Sequence, residues 1–168
     1  MDTSALLLEL YGRIPPLAAA AVRGLDTEQL CRLPAPGTNP IGWLVWHMGR
    51  IQDDHLAGVM DTGQLWVEGD WAAGFGLEPD PDNDGFGHTP ADVASVRPSG
   101  PDVLTAYLKA VAHRTDDWLR SLQEEDFNRV VDRRWNPPVT LGVRLVSVAD
   151  DGLQHCGQAA YVRGLLGF

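Results

Sequence analysis

The chain has 168 residues, which favours one domain with a substantial hydrophobic core. Its formal net charge of −10 at pH 7 argues against binding to phosphate backbones or anionic lipid surfaces, so we expect neither a nucleic-acid nor a membrane partner. The two cysteines, Cys31 and Cys156, are too few for a disulfide framework, and no basic region precedes the N-terminal apolar run, so we predict a cytoplasmic protein.

The first predicted helix runs from about Thr3 to Leu25. Its apolar face is formed by residues at helical spacing: Leu6, Leu7, Leu10 and Ile14. The Pro15-Pro16 pair marks a kink or a restart of this helix. Glu9 and Arg13 interrupt the apolar run, and we therefore predict that the segment is too short and too polar to span a bilayer.

The second predicted helix follows a proline-rich connector. Asn39 as N-cap and Pro40 as the first helical residue are a strong start signal. The helix then continues through the sequence IGWLVWHMGRIQDDHLAGVMD and ends near Thr62-Gly63.

The least regular part of the chain extends from about Gly63 to Gly100. A loop of this length in a compact domain is usually functional or disordered, and its aromatic residues argue for order. We expect an ordered loop with short helical turns that closes over one end of the fold, because Trp66 and Trp71 need burial. The stretch DPDNDG lacks the glutamate that an EF-hand calcium loop requires.

Two further helices complete the pattern. The third begins at Ser99 or Gly100 and ends near Gln123, with a predicted buried stripe of Leu104, Leu108, Val111, Thr115, Trp118 and Leu122. The segment RVVDRRWNPPVTLG favours a short hairpin, and the fourth helix runs from about Leu141 to Leu166. Its apolar stripe includes Leu141, Leu145, Val148, Ala159 and Val162. The matched helix lengths predict an all-α fold, a single domain over residues 1–168 built as an antiparallel four-helix bundle with a long ordered loop between the second and third helices.

Three polar residues on these helices have the spacing of a metal site. Asp151 and His155 lie one turn apart on the apolar face of the fourth helix, and a buried carboxylate there requires compensation. His47 follows the apolar run Trp43–Trp46, so we expect it to face inward from the second helix. Bundles build metal sites from facing helices, and three protein ligands with open positions are typical of a catalytic site.

Alternative interpretations of these residues remain open at this stage. His47 can be a hydrogen-bonded core histidine, and the Asp151–His155 pair can be a helix-surface hydrogen bond. Cys156 is expected to be a small packed residue, because adjacent helical positions point about 100° apart and it cannot share a task with His155. His55 lies either at the mouth of the site or in solvent, with the mouth preferred. His88 and His113 have no companion in the sequence.

The segments NPIGWLVWHMGRIQDDHLAGV and TLGVRLVSVADDGLQHCGQAAYVRGLLG resemble the DinB/YfiT-like superfamily. Within it, they are most similar to the actinobacterial branch that includes mycothiol-dependent maleylpyruvate isomerase and mycothiol S-transferase-like proteins. The resemblance covers nearly the whole chain. It implies a four-helix bundle, often a homodimer, with a divalent metal, such as zinc or nickel, held by three histidines.

The resemblance places the metal ligands by position. His47 matches the ligand of the second helix, and His155, followed by Cys156-Gly157-Gln158, matches the second histidine of an H-x-x-x-H pair. The first histidine of that pair falls on Asp151, where this chain departs from the pattern. A carboxylate also binds zinc or iron, so we expect the metal to be retained by His47, Asp151 and His155.

The resulting hypothesis is a divalent-metal-dependent enzyme that uses a low-molecular-weight thiol such as mycothiol for S-transfer or thiol-assisted isomerisation of a small-molecule substrate. The thiol and the reaction come from the resemblance, and nothing in the residues names the substrate. A second hypothesis is a non-catalytic stress-response bundle, with or without metal. A third notes that two histidines and a carboxylate also describe non-haem iron sites.

Overall fold

The computed structural model describes residues 1–168, and the chain is mostly helical with one small antiparallel sheet. The α-helices are α1 (Thr3–Tyr11), α2 (Ile14–Val22), α3 (Thr27–Leu30), α4 (Ile41–Met60), α5 (Leu65–Glu68), α6 (Pro90–Ser95), α7 (Pro101–Ser121) and α8 (Leu141–Leu166). Two 3₁₀ turns span Ala72–Phe75 and Glu124–Asn128, and the strands are β1 (Val130–Asp132) and β2 (Val139–Thr140).

The N-terminal segment forms two helices where the sequence predicts one with a kink or restart. The Asp2 side chain caps α1 by accepting from the backbone N–H of Ala5 at 2.8 Å. The proline pair lies in the first turn of α2, where a missing N–H removes no helical hydrogen bond. The prediction for Leu6 is wrong: its side chain is 58% exposed, because the buried face of α1 is the one that carries Leu7 and Tyr11, one turn apart.

The stretch Thr3–Val22 has a mean hydropathy of 1.3, and by length and composition alone it is apolar enough to cross a membrane. The prediction that it is too short and too polar is therefore wrong by that measure. In the structure it is divided between α1 and α2, and a third of it is buried inside the fold. A helix that packs in a protein core has the same composition, so the stretch is weak evidence for a membrane segment.

Helix α4 starts one residue later than the sequence predicts. Pro40 is the N-cap, with extended backbone angles of φ −74° and ψ 163°, and Ile41 is the first helical residue. Fifteen of the twenty residues of α4 are buried, which makes it the central helix of the fold. It ends at Met60, where Asp61 takes up a left-handed conformation with φ 57°.

The segment between α4 and α7 is ordered and contains short helical turns, as predicted. Trp66 is fully buried and packs against the rings of Phe75 and Tyr107, with ring centroids 5.5 Å apart in both pairs. A capping box at Thr89 begins α6. Backbone hydrogen bonds from Arg97 to Phe75 and from Ser99 to Gly74 then return the chain to the start of α7.

The C-terminal half agrees closely with the predicted elements. Helix α8 has the predicted bounds, and the hairpin forms with Val130 opposite Thr140. On α7 the first four residues of the predicted stripe are buried, but Trp118 and Leu122 are only half-buried. Leu119 takes their place in the core, because helical geometry rotates the buried stripe along the last turns of α7.

The long helices pack around one core of 33 buried residues. Helix α4 contacts α7 and α8, α2 contacts the same two helices, and α1 contacts α7. His47 meets His155 while His55 meets Arg144, so α4 and α8 run in opposite directions. The polar residues of interest lie along the line where α4 and α8 face each other, which we call the α4–α8 groove.

Candidate metal centre

His47 is held on the inner face of α4 with one ring nitrogen committed to the protein. The side chain is 6% exposed, and its ring stacks on that of Trp43 at 4.6 Å. Nδ1 lies 2.6 Å from the carbonyl oxygen of Asp84, to which it donates its hydrogen. Donation from Nδ1 leaves the lone pair on Nε2 free to bind a cation.

On α8, His155 is oriented in the same way. Its Nδ1 lies 2.8 Å from the side-chain oxygen of Gln158, one turn further along the helix. Its Nε2 lies 3.5 Å from Oδ1 of Asp151, one turn before it. The i, i+4 spacing therefore places the carboxylate and the imidazole side by side, as the sequence predicts.

The structure brings together the three predicted ligands. One ligand atom from each of His47, Asp151 and His155 lies within 4.8 Å of the other two. Ligand atoms bound to one zinc ion at about 2.0–2.2 Å are separated by at most about 4.4 Å, so small side-chain rotations suffice.

Asp151 also carries the only buried carboxylate oxygen in the structure that has no hydrogen-bond partner, Oδ2. Leaving a buried acceptor unpaired costs about 1–3 kcal/mol, and more when it is charged. Two imidazole lone pairs and a carboxylate are all acceptors, and one cation among them would satisfy all three. The residues present therefore fit a divalent metal.

The local environment shifts the pKa values of the two histidines in opposite directions. Burial lowers the pKa of His47, although its hydrogen bond to the Asp84 carbonyl acts against this. Burial also lowers the pKa of His155, but its hydrogen bonds with Asp151 and Gln158 outweigh burial, and the pKa is raised. His47 is thus held neutral, the form that binds a metal.

The loop between α4 and α7 lies against the His47 end of the site. Gly85 has a positive φ of +98°, and a Cβ there would lie 2.6 Å from Nδ1 of His47 and 3.0 Å from the Trp43 and Trp46 rings. Only glycine permits so close an approach in this backbone conformation. The loop therefore covers the Nδ1 side of His47, as the prediction of closure over this end requires.

His88, which has no companion in the sequence, is held in the structure by contacts with the loop and with α4. Its Nδ1 accepts a hydrogen bond from the indole N–H of Trp43 at 3.1 Å, and its Nε2 lies 2.9 Å from Oδ1 of Asn83. Its ring stacks on Trp46 at 5.6 Å. The contacts with Trp43 and Trp46 join residues more than 40 positions apart, so no local pattern in the sequence signals them. His88 therefore holds Trp43, the ring that stacks on His47, and is not one of the candidate ligands.

The other singled-out residues lie outside the ligand set. His113 is 81% exposed and lies 3.2 Å from Asp117 on the surface of α7. Cys156 is buried, with Sγ 3.6 Å from the carbonyl oxygen of Ile14, and burial raises its pKa to about 11. It is a packed thiol, as predicted.

A second buried polar cluster, which sequence reasoning missed, fixes the loop to α4. Arg50 is completely buried and donates to the carbonyl oxygens of Pro81 and Asn83, both at 3.0 Å. Asp53, also completely buried, accepts from the backbone N–H groups of Leu65 and Trp66 at 3.0 and 2.8 Å. The sequence does contain a local signal for this cluster. In the run GRIQDD, Arg50 and Asp53 are three residues apart, a spacing that places two opposite charges side by side on a helix.

His55 lies at the far end of the groove from His47. Its side chain is 35% exposed, and Arg144 on α8 donates to its Nδ1 at 3.2 Å. Eight helical residues correspond to about 12 Å along α4. His55 is therefore in the groove and not a direct neighbour of the ligand cluster.

Comparison with known proteins agrees with this architecture. A family model described as the DinB superfamily matches residues 12–159, and no curated protein matches. The crystal structure of a conserved protein of locus from Enterococcus faecalis is 32% identical, with a TM-score of 0.90 over 98% of this chain and 97% of that chain. The chain belongs to the DinB superfamily.

Proposed function

We propose that the protein binds one divalent cation through His47, Asp151 and His155 and acts as a metal-dependent enzyme with a low-molecular-weight thiol. The observation that carries the metal part is the buried, unpartnered Oδ2 of Asp151 beside two imidazoles whose other nitrogens are already hydrogen-bonded. For two imidazoles and one carboxylate, zinc and nickel are the metals that we expect, ahead of iron.

The protein contributes orientation and access to this site. The Asp84 carbonyl and the Gln158 side chain fix both imidazole rings, which is the role of outer partners in metal sites. The side chains of Asp151 and His155 are 31% and 16% exposed, so a small molecule can approach from the α8 side. A divalent cation held here would lower the pKa of a bound thiol and polarise a substrate carbonyl.

The thiol is proposed from the family resemblance and not from a contact in the structure. Superfamily membership supports it, and the similarity to the mycothiol-dependent branch suggests mycothiol, with S-transfer or thiol-assisted isomerisation as the reaction. The loop that contacts His47 would act as the lid that sets substrate specificity. We propose that this chemistry takes place on an antiparallel four-helix bundle.

Metal analysis of protein purified without chelators or a polyhistidine tag tests the proposal directly. Close to one equivalent of zinc or nickel supports a thiol-dependent enzyme, and iron supports oxygen chemistry. Protein that neither contains metal nor takes it up from solution would contradict the proposal.

Substitutions at Asp151 test the ligand set. Asp151→Ala removes a ligand and Asp151→Asn removes the charge, so both should lose metal, with affinity falling by more than about 100-fold. Asp151→His should retain metal, because its position one turn from His155 suits an imidazole. If Asp151→Asn binds metal as tightly as the native protein, Asp151 is not a ligand.

One observation favours a non-catalytic bundle as the second candidate. The Asp151 carboxylate lies 3.5 Å from His155, whose pKa is raised, so a protonated His155 can compensate the carboxylate without metal. This candidate predicts that Asp151→Asn changes stability little and that Asp151→His disturbs the packing. Melting temperatures of the Asp151 variants, measured with and without metal, separate the two candidates.

We also propose that the protein is a cytoplasmic homodimer. Several apolar side chains of α8 are more than half exposed: Val143, Val146, Tyr161 and Leu165. The first two and the last two are each about one helical turn apart, and contiguous exposed apolar patches are a common feature of subunit interfaces. Light scattering coupled to size-exclusion chromatography will measure the mass, and a monomer at micromolar concentration would contradict the dimer.

A further inference from the structure

A cavity of about 190 Å³ lies between the connector that precedes α4 and the segment around α6. Its lining contains one residue with a full positive charge, Arg97, and no aspartate or glutamate, although the chain as a whole has a net charge of −10. We propose that this cavity binds a small monocarboxylate, whose carboxylate pairs with Arg97 and whose apolar body fills the cavity. None of His47, Asp151 and His155 lines it, so the site is independent of the proposed metal centre.

Arg97 presents a guanidinium with all of its donors free. Its backbone is fixed, because its N–H donates to the carbonyl oxygen of Phe75 at 2.8 Å, whereas no group of the protein accepts a hydrogen bond from its side chain. Five N–H donors in a planar fork are therefore free to bind an anion. The cavity borders this side chain, and an ion pair partly withdrawn from water is stronger than one in open solvent.

The walls of the cavity are largely apolar. They include Leu33, Pro40, Pro90, Val93 and Val96. Both ring nitrogens of His88 are already hydrogen-bonded, to Trp43 and to Asn83, and the hydroxyl of Thr38 donates to the carbonyl oxygen of Ala35. A bound molecule therefore meets one cation among apolar groups.

The volume restricts the size of the ligand. A cavity of about 150 Å³ in another protein holds benzene, so this cavity suits a small ring or a short chain with a carboxylate attached. Sites for drug-sized molecules have volumes of about 300–1,000 Å³. A nucleotide or a peptide does not fit within these walls.

The charge balance favours a carboxylate over a phosphate. One guanidinium neutralises a monoanion, whereas a phosphate dianion would keep one uncompensated charge in an acidic protein. A guanidinium also binds a planar carboxylate through two parallel hydrogen bonds.

Cys31 lines the same cavity and can report its occupancy. Its thiol is free and half-buried. Burial raises the pKa of Cys31, and the charge of Arg97 acts against this, as expected for a guanidinium close to the sulfur. Cys156, the other free thiol, is buried against the carbonyl oxygen of Ile14 and should not react in the folded protein. A carboxylate bound at Arg97 should therefore shield Cys31 from a thiol reagent.

The test compares benzoate with benzamide, which has nearly the same shape and no charge. We expect benzoate to bind about tenfold more tightly in a titration followed by nuclear magnetic resonance, which is the effect of a hydrogen-bonded charge pair. Bound benzoate should also slow the alkylation of Cys31 by iodoacetamide, measured by mass spectrometry. Inorganic phosphate is the third probe and should bind more weakly than benzoate.

Arg97→Gln should abolish the preference for benzoate over benzamide, and Arg97→Lys should keep part of it. Arg32→Gln is the matched control, because Arg32 is an exposed arginine next to Cys31 in the sequence but does not line the cavity. It should keep the full preference. Melting curves will show that each variant is folded.

Several results would overturn the carboxylate site. They are equal binding of benzoate and benzamide, an unchanged rate of Cys31 alkylation when benzoate is bound, and a preference that persists in Arg97→Gln or disappears in Arg32→Gln. Tighter binding of phosphate would refute the assignment to a carboxylate. Since none of these measurements depends on a metal ion, the proposed function is tested separately.

Discussion

Helix α4 contributes to two polar clusters that differ in how completely their hydrogen bonds are made. The first, which we call the loop-anchoring cluster, is formed by Arg50 and Asp53. Both oxygens of Asp53 accept hydrogen bonds from backbone N–H groups, and each of the three guanidinium nitrogens of Arg50 donates at least one. In the candidate metal centre, one oxygen of Asp151 has no partner. A complete cluster stabilises the fold, whereas an incomplete one is suited to receive a ligand.

The two clusters act on the same loop. Arg50 holds Pro81 and Asn83, and the next residue, Asp84, accepts from His47. The stable cluster thus fixes the loop that orients a ligand of the incomplete cluster. We expect substitutions in the first cluster to lower the free energy of unfolding, and substitutions in the metal centre to lower the affinity for metal.

The largest effect is expected for Asp53→Ala. It leaves Arg50 as a buried charge without its carboxylate and removes the acceptor of two backbone N–H groups. Breaking a buried ion pair in this way costs about 3–5 kcal/mol. The free energy of unfolding from urea titration will measure it. The control is Asp117→Ala on the surface of α7, where the pair with His113 is exposed and the change should stay within about 0.5 kcal/mol. Equal losses in the two variants would contradict the contrast.

Gly85→Ala is expected to affect both clusters. The added Cβ would lie 2.6 Å from Nδ1 of His47 in a left-handed backbone conformation, so the loop must move away. The cost is about 1–3 kcal/mol of stability, and metal affinity should fall as well because the Asp84 bond is disturbed. Gly87→Ala is the control, since its φ of +75° is equally unfavourable but its Cβ would contact nothing. Thermal melting and metal titration of both variants will separate the two causes. Backbone strain lowers the melting temperature of both, whereas only Gly85→Ala should lower metal affinity.

A smaller effect is expected for Gln158→Leu, which removes the hydrogen-bond acceptor of His155 without removing a ligand. Outer partners of metal-bound histidines contribute about tenfold to affinity at the lower end of their range. Metal affinity from competition with a chelator should fall by that factor, while the melting temperature of the metal-free protein changes little. Unchanged affinity would indicate that Gln158 does not orient His155.

The smallest effect concerns the titration of His55. Burial and the positive charge of Arg144 lower its pKa, so neutral His55 is favoured in the folded state. Because the unfolded chain binds the proton more readily, this contribution to stability is complete above about pH 6.5 and is lost as the pH falls below it. Nuclear magnetic resonance of the imidazole signals should show a pKa below the ordinary value, and Arg144→Gln should raise it. A pKa unchanged by Arg144→Gln would refute this coupling.

Much of the fold could be predicted from the sequence. The bounds of α8 and the hairpin before it follow from hydrophobic spacing and turn residues, which are local signals. The errors fall where neighbouring elements decide the outcome. Leu6 is exposed because α1 packs through the face of Leu7 and Tyr11, and Leu119 is buried in place of Trp118 because of how α7 packs.

For the site, the sequence by itself determined the Asp151–His155 pair, because a spacing of four residues on a helix places two side chains together whatever the rest of the fold does. It also determined that His47 faces inward, from the apolar run before it. Only the tertiary structure decided that His47 meets His155 across the groove and that Asp84 fixes its tautomer. These contacts join residues 37 positions apart or more, and the relative placement of two helices and a loop is set by packing, which no local pattern records.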